Sequence, residues 1–200
     1  MSSGSGWVNS RPWMVISLVL VCLVAALALS RVYLITKPVI EQQKIDATKH
    51  ALTEVLPAAA SFTEREPGQL WYGLDGNGSK VGIVFKVAPR GYAGPVETMA
   101  GVDLDGRVVG IRIASPAEGM RETPGLGLKA REPWFTAQFG GKSADDLKLK
   151  KDGGTLDAIS AATITSRAVT NGVADGLRRY AAHLAPGDSP PGETTDGAPR

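Results

Sequence analysis

Residues 69–113 read QLWYGLDGNGSKVGIVFKVAPRGYAGPVETMAGVDLDGRVVGIRI, and this stretch decides the fold class. Gln69 to Leu74 and Val81 to Val87 are rich in aromatic and β-branched residues, and DGNGS at 75–79 separates them with turn-forming chemistry. Thr98 to Leu104 and Arg107 to Ile113 repeat the pattern around Asp105-Gly106, a favoured hairpin dipeptide. Strands that follow one another without intervening helices predict an α+β layer fold with antiparallel strands, not a doubly wound sheet.

Helices are expected on both sides of this core. Pro38 fits the first turn of a helix whose Ile45, Leu52, Val55 and Leu56 form an apolar stripe ending at Pro57. A short helix is expected over Pro133 to Phe139. From about Ile164 to Leu184, Val169, Val173, Leu177, Tyr180 and Leu184 recur at helical spacing, which predicts a packed amphipathic helix. No internal repeat is apparent.

Further out, the composition changes at both ends. Trp13 to Leu29 carries no charge, and its seventeen residues would span roughly 26 Å as a helix, short of a bilayer core of about 30 Å. Continuing through Ile35, with Arg31 snorkelling to the interface, supplies the missing length. Residues 13–35 are therefore expected to form a transmembrane helix after an N-terminal segment, 1–12. The apolar run continues past Ala26-Leu27-Ala28, which favours a retained anchor over a cleaved signal peptide. Val21 before Cys22 argues against a lipid-modified cysteine. Arg11 on one side and Arg31, Lys37 and Lys44 on the other leave the orientation unset by charge. Residues 186–200, PGDSPPGETTDGAPR, hold seven Pro or Gly and no large apolar residue, which predicts a disordered tail. Residues 36–185 then form one globular domain.

Composition excludes several functional classes. Twenty-two Lys and Arg against twenty Asp and Glu leave +2, too balanced for a nucleic-acid binder. With one cysteine and two histidines, His50 and His183, no Cys/His metal centre and no intramolecular disulfide can be assembled.

Three segments remain that could carry chemistry. Asp157-Ala-Ile-Ser160-Ala-Ala-Thr163-Ile-Thr165-Ser166 enters the last helix, where unpaired amides and the dipole favour an anion and hydroxyls stand beside it. The competing role for Ser160 and Thr163 is plain helix capping. Arg121-Glu-Thr-Pro-Gly-Leu-Gly-Leu128 is a tight loop without side-chain bulk, able to approach a flat ligand or simply to connect two elements. It matches neither a dinucleotide fingerprint nor a P-loop. Arg90-Gly-Tyr-Ala-Gly-Pro-Val96 reads as a hairpin connection with a half-buried Tyr92.

Taken in order after an apolar N-terminal segment, GYAGPV, ETPGLG and D-x-x-S-A-A-T-I-T-S resemble the covalent FMN-binding domain family. Within it, the chain is similar to the G subunits of Rnf ion-translocating electron transport complexes, relatives of the C subunit of the sodium-pumping NADH:quinone reductase. The resemblance implies that a flavin transferase esterifies the FMN phosphate to Thr163, within a motif that includes Asp157, Ser160 and Ala162. It implies that Ser160, Thr165 and Ser166 lie at the phosphate. Glu122, Thr123, Gly125, Leu126 and Gly127 would border the isoalloxazine ring, and Tyr92 and Gly94 would close the site. It further implies an electron-carrying subunit of a ferredoxin:NAD oxidoreductase translocase in the cell inner membrane, single-pass, with its domain on the periplasmic or external side. NAD and iron–sulfur sites would then belong to the other subunits. Alternatives are a stand-alone membrane-anchored flavoprotein, redox or sensor, and a flavin-free structural module. Several positions depart from the family pattern: Ala161 stands where glycine is usual, Met120 where many relatives have histidine, and, more mildly, Ala93 and Val96 where GYGGPI is frequent.

Overall fold

The computed structural model describes residues 11–185; the first ten residues of the expected segment 1–12, and the expected tail 186–200, lie outside the described residues, while Arg11 and Pro12 begin the first helix. The chain divides into two compact units, with the break between Thr48 and Lys49.

The first unit is helical. Helix α1 runs from Arg11 to Val55 without interruption, and Pro38 lies inside it. The expected helix start at Pro38 is thus corrected: the proline removes one backbone donor, and the helix continues through it. Trp13–Pro38 is long and apolar enough to cross a membrane, with a mean hydropathy of 2.6.

The second unit is built on a five-stranded antiparallel meander in the order β1-β2-β3-β4-β5. The strands are β1 (Ser61–Glu66), β2 (Leu70–Leu74), β3 (Lys80–Val87), β4 (Thr98–Asp103) and β5 (Val108–Ile113). Strand β1, absent from the sequence reading, is a charged edge strand of SFTERE with only Phe62 apolar. The two hairpin turns are fastened by aspartates. Asp75 accepts the amides of Asn77 and Ser79, each at 2.8 Å, and Asp103 accepts those of Asp105 at 3.0 Å and Arg107 at 2.9 Å.

Alternation along the strands gives the sheet two covered faces. Leu70, Tyr72, Ile83, Phe85, Ala100 and Val102 point to one core, shared with Val169, Val173, Leu177 and Tyr180 of α3 (Thr163–Tyr180). Trp71, Val84 and Met99 point to the other, shared with Ala51, Leu52, Val55 and Leu56. Ile45, expected on that stripe, is half exposed at 50%. The second face is unusually flat. A Cβ at Gly101 would lie 2.1 Å from the Val55 carbonyl oxygen, and one at Gly73 would lie 2.5 Å from Leu56 Cδ2. These glycines let backbone seat against backbone. The short helix is split between α2 (Pro133–Thr136) and a 3-10 turn at Ala137–Phe139, and the final helix passes into a 3-10 turn at Ala181–Leu184.

Candidate functional site

The loops that carry the three motifs meet at one side chain. Glu122 is 5% exposed, and its two carboxylate oxygens face two different segments. Oε1 accepts the Ala93 amide at 3.1 Å, and Oε2 accepts the Thr165 hydroxyl at 3.0 Å. Gly91 and Gly127 make room for it: a Cβ at Gly91 would fall 2.4 Å from Oε1, and one at Gly127 would fall 2.2 Å from Oε2. Glu122 therefore ties the 90–95 loop, its own glycine loop and the first turn of α3 into one body. Charge-assisted bonds of this kind are about twice as strong as neutral ones.

Around this hub the segments present their remaining residues outward. The 90–95 loop closes through Gly91 N–H to the Gly94 carbonyl at 2.8 Å, and Tyr92 at its tip is 72% exposed. The expected half-buried tyrosine is corrected: the loop is too tight to fold its side chain back. Thr123, Pro124, Gly125 and Leu126 are exposed between buried Glu122 and Gly127. Gly125, at φ 76, has open space where a Cβ would stand. Leu126 and Ile164 are 39% and 54% exposed. Met120 is buried in the core, so no titratable group occupies that place.

The entrance to α3 is unusual. Ala161 holds φ 62, the one non-glycine residue at positive φ among the described residues. An alanine there costs about 1–2 kcal/mol relative to the right-handed region. The turn it makes, closed by Ala162 N–H to the Ile159 carbonyl at 3.0 Å, aims the chain into the helix. The N-cap is Ala162, and no side chain caps the helix. Ser160 is exposed and Thr163 is the first helical residue, so the alternative capping role is not the one they fill. Ser166 N–H makes the bond to the Ala162 carbonyl at 3.0 Å; the first amides of a helix have no intrahelical acceptor, which is what anion-holding helix starts use.

Thr163 is partly exposed, and its Oγ1 accepts from Lys151 Nζ at 3.4 Å. The other two hydroxyls expected at the phosphate face inward. Thr165 and Ser166 are both fully buried. Thr165 donates to Glu122; Ser166 donates to the Ala162 carbonyl at 3.0 Å and accepts the Ile159 amide at 2.9 Å. Both face inward because the buried stripe of α3, carried back from Val169, lands on them. Asp157 pairs with Lys150 at 2.8 Å, and its amide donates to Gln138 Oε1 at 2.7 Å. Asp152 takes a two-pronged contact from Arg167 at 2.9 and 2.8 Å. That hydrogen bonding holds the Asp152 carboxyl below its ordinary range. Sequence reasoning missed Lys151, Gln138 and the linking part of Glu122; only the lysine-rich LKLKK at 147–151 hinted at the first.

The model of the FMN-binding domain matches residues 91–178, which hold all three motifs. The G subunit of the proton-translocating ferredoxin:NAD(+) oxidoreductase complex of Clostridium ljungdahlii is 31% identical, over 82% of this chain and 88% of its own. The chain belongs to the G-subunit family of ion-translocating oxidoreductase complexes. Another similar G subunit, from the Na(+)-translocating ferredoxin:NAD(+) oxidoreductase complex of Acetobacterium woodii, is 36% identical over 78% of this chain and 85% of its own. The crystal structure of the C subunit of Na(+)-translocating NADH-quinone reductase from Parabacteroides distasonis aligns with 58% of this chain and 62% of that one, at 24% identity and a TM-score of 0.47.

The residues of this chain fit a flavin mononucleotide. A reachable hydroxyl stands at an uncapped helix start, an ammonium faces it, and the exposed Tyr92, Leu126 and Ile164 flank the same hub.

Proposed function

We propose that this chain carries FMN esterified through its phosphate to Thr163, and that it relays electrons as one subunit of a membrane complex. The relatives are subunits of complexes named for ferredoxin:NAD(+) oxidoreduction and ion translocation, which supports the same reaction for the assembly to which this chain belongs. Their names give proton in one case and sodium in another, so the resemblance assigns no ion. Trp13–Pro38 anchors the chain, and the globular unit faces the periplasm or cell exterior, where a covalent bond retains a cofactor that could not be replaced from the cytoplasm.

The observation that carries this reading is the Thr163 hydroxyl, first in an 18-residue helix that no side chain caps. In the transferase reaction the Thr163 oxygen bonds the flavin phosphorus of an activated flavin dinucleotide, the pyrophosphate P–O bond breaks, a nucleoside monophosphate leaves and the hydroxyl proton is released, which leaves a phosphodiester with one negative charge. The amide end of α3 favours that charge by roughly 0.3–1 kcal/mol. When bound, FMN supplies one- and two-electron transfer. The chain's own part is positioning: Glu122 keeps the two loops and α3 in register, while Tyr92 and Leu126 offer apolar surface to a flat ring. Other subunits of the complex bring the electron donor and acceptor, and a flavin transferase makes the ester.

The test is intact-mass and peptide mass spectrometry of the protein made with its flavin transferase, alongside fluorescence in a denaturing gel. An FMN increment on the Thr163 peptide is expected, and its loss in Thr163→Ala with the fold retained. Undiminished covalent flavin in Thr163→Ala rejects the assignment.

A further inference from the structure

The entrance to α3 gathers three cations: Lys150 bonds Asp157, Arg167 bonds Asp152, and Lys151 bonds Thr163 while also lying in the field of Asp152. Lys150, Lys151 and Asp152 form a 3-10 turn held from below. Buried Leu149 pairs with buried Leu156 through an isolated bridge, and the Lys150 amide donates to the Leu156 carbonyl at 2.8 Å. Gly154 N–H closes the far side onto the Leu149 carbonyl at 2.9 Å. The turn is thus fastened to the core beside the 157–163 segment, and its side chains leave a fixed backbone.

Lys150 is held by Asp157 and Arg167 by Asp152. With both aspartates engaged, the Lys151 ammonium points to the Thr163 hydroxyl at 3.4 Å. That is a long contact for a neutral oxygen. A phosphoryl group on the same oxygen would carry charged oxygens two bonds beyond Oγ1, and these are far better acceptors for an ammonium than the neutral hydroxyl.

We propose that Lys151 is the cation that pairs with the phosphate carried on Thr163. This rests on the attachment reading above and adds to it a residue that neither the motif nor the family match assigns. Lys151 is exposed, so its pairing is screened by salt and is worth about fivefold in an equilibrium or rate.

The experiment uses the full chain with its flavin transferase and compares wild type, Lys151→Gln, Lys151→Arg and Lys148→Gln. Lys148 lies in the same segment and loses the same charge without a contact to Thr163. Two readouts are taken: the rate of flavin incorporation at low and high salt, and the phosphorus resonance of the finished phosphodiester. In Lys151→Gln, incorporation should slow about fivefold at low salt, the difference should shrink at high salt, and the phosphorus resonance should move. Lys151→Arg should restore most of the rate, and Lys148→Gln should match wild type in both. A resonance unchanged in Lys151→Gln overturns the pairing, as does equal slowing in Lys148→Gln, which would mark a diffuse charge effect. Wild-type protein that takes no flavin would instead defeat the attachment reading itself, and this inference with it.

Discussion

Glu122→Ala tests whether one buried carboxylate holds the site together. The substitution removes two charge-assisted hydrogen bonds, to the Ala93 amide and the Thr165 hydroxyl. Bonds to a charged group contribute about 1.5–3 kcal/mol each. One released donor recovers part of that. Ala93 is exposed and its amide can turn to water. The lower end of the range therefore applies, about 3 kcal/mol for the pair, with about 1 kcal/mol more for the truncated side chain. At roughly 3–4 °C per kcal/mol for a unit of this size, Tm should fall by about 12–16 °C. Near-ultraviolet circular dichroism of the purified full chain in detergent reads the packed aromatic side chains, with Trp13 and Tyr33 of α1 as a background common to both proteins. Glu122→Gln keeps an acceptor for Ala93 and should lose less than half as much. Gly127→Ala reaches the same displaced carboxylate from the other side, since its Cβ would stand 2.2 Å from Oε2. A fall of less than about 4 °C in Glu122→Ala, at roughly 1 kcal/mol of stability, would refute the claim that this side chain links the three segments.

Two other expectations turn on the sign of an effect. Ala161→Gly should raise Tm by about 2–4 °C in the same thermal assay, because relief of the left-handed strain outweighs the entropy of the added glycine; Ser160→Gly next to it should lower Tm. Gly176→Ala in α3 would ordinarily stabilise a helix, but its Cβ would meet buried Phe85 at 2.2 Å. It should destabilise by about 1–2 kcal/mol in chemical denaturation, and a stabilised variant would show that α3 can shift off the sheet.

What was legible in the chain was local and periodic. The alternation in 69–87 and 98–113, the Asp105-Gly106 turn and the stripe from Val169 to Tyr180 each needed only neighbours in sequence, and each element formed within a few residues of its expected bounds. Strand β1 escaped because an edge strand need not alternate: one of its faces meets solvent and its partner supplies the backbone bonds. The stripe of α3 reaches further than its apolar residues. Carried back from Val169 by three and four positions, it puts Ser166 and Thr165 on the buried side of the helix.

By itself, then, the sequence determined the layer fold, the apolar helix and the place of a threonine at the start of α3, because those signals repeat along the chain. The tertiary structure alone decided that Glu122 joins a loop 29 residues away to the first turn of a helix 43 residues away. It alone decided that Lys151 faces Thr163 from 12 residues away and that α1 continues through Pro38. Such contacts leave no period to read, since a hydrogen bond between distant residues depends on where the whole core places them.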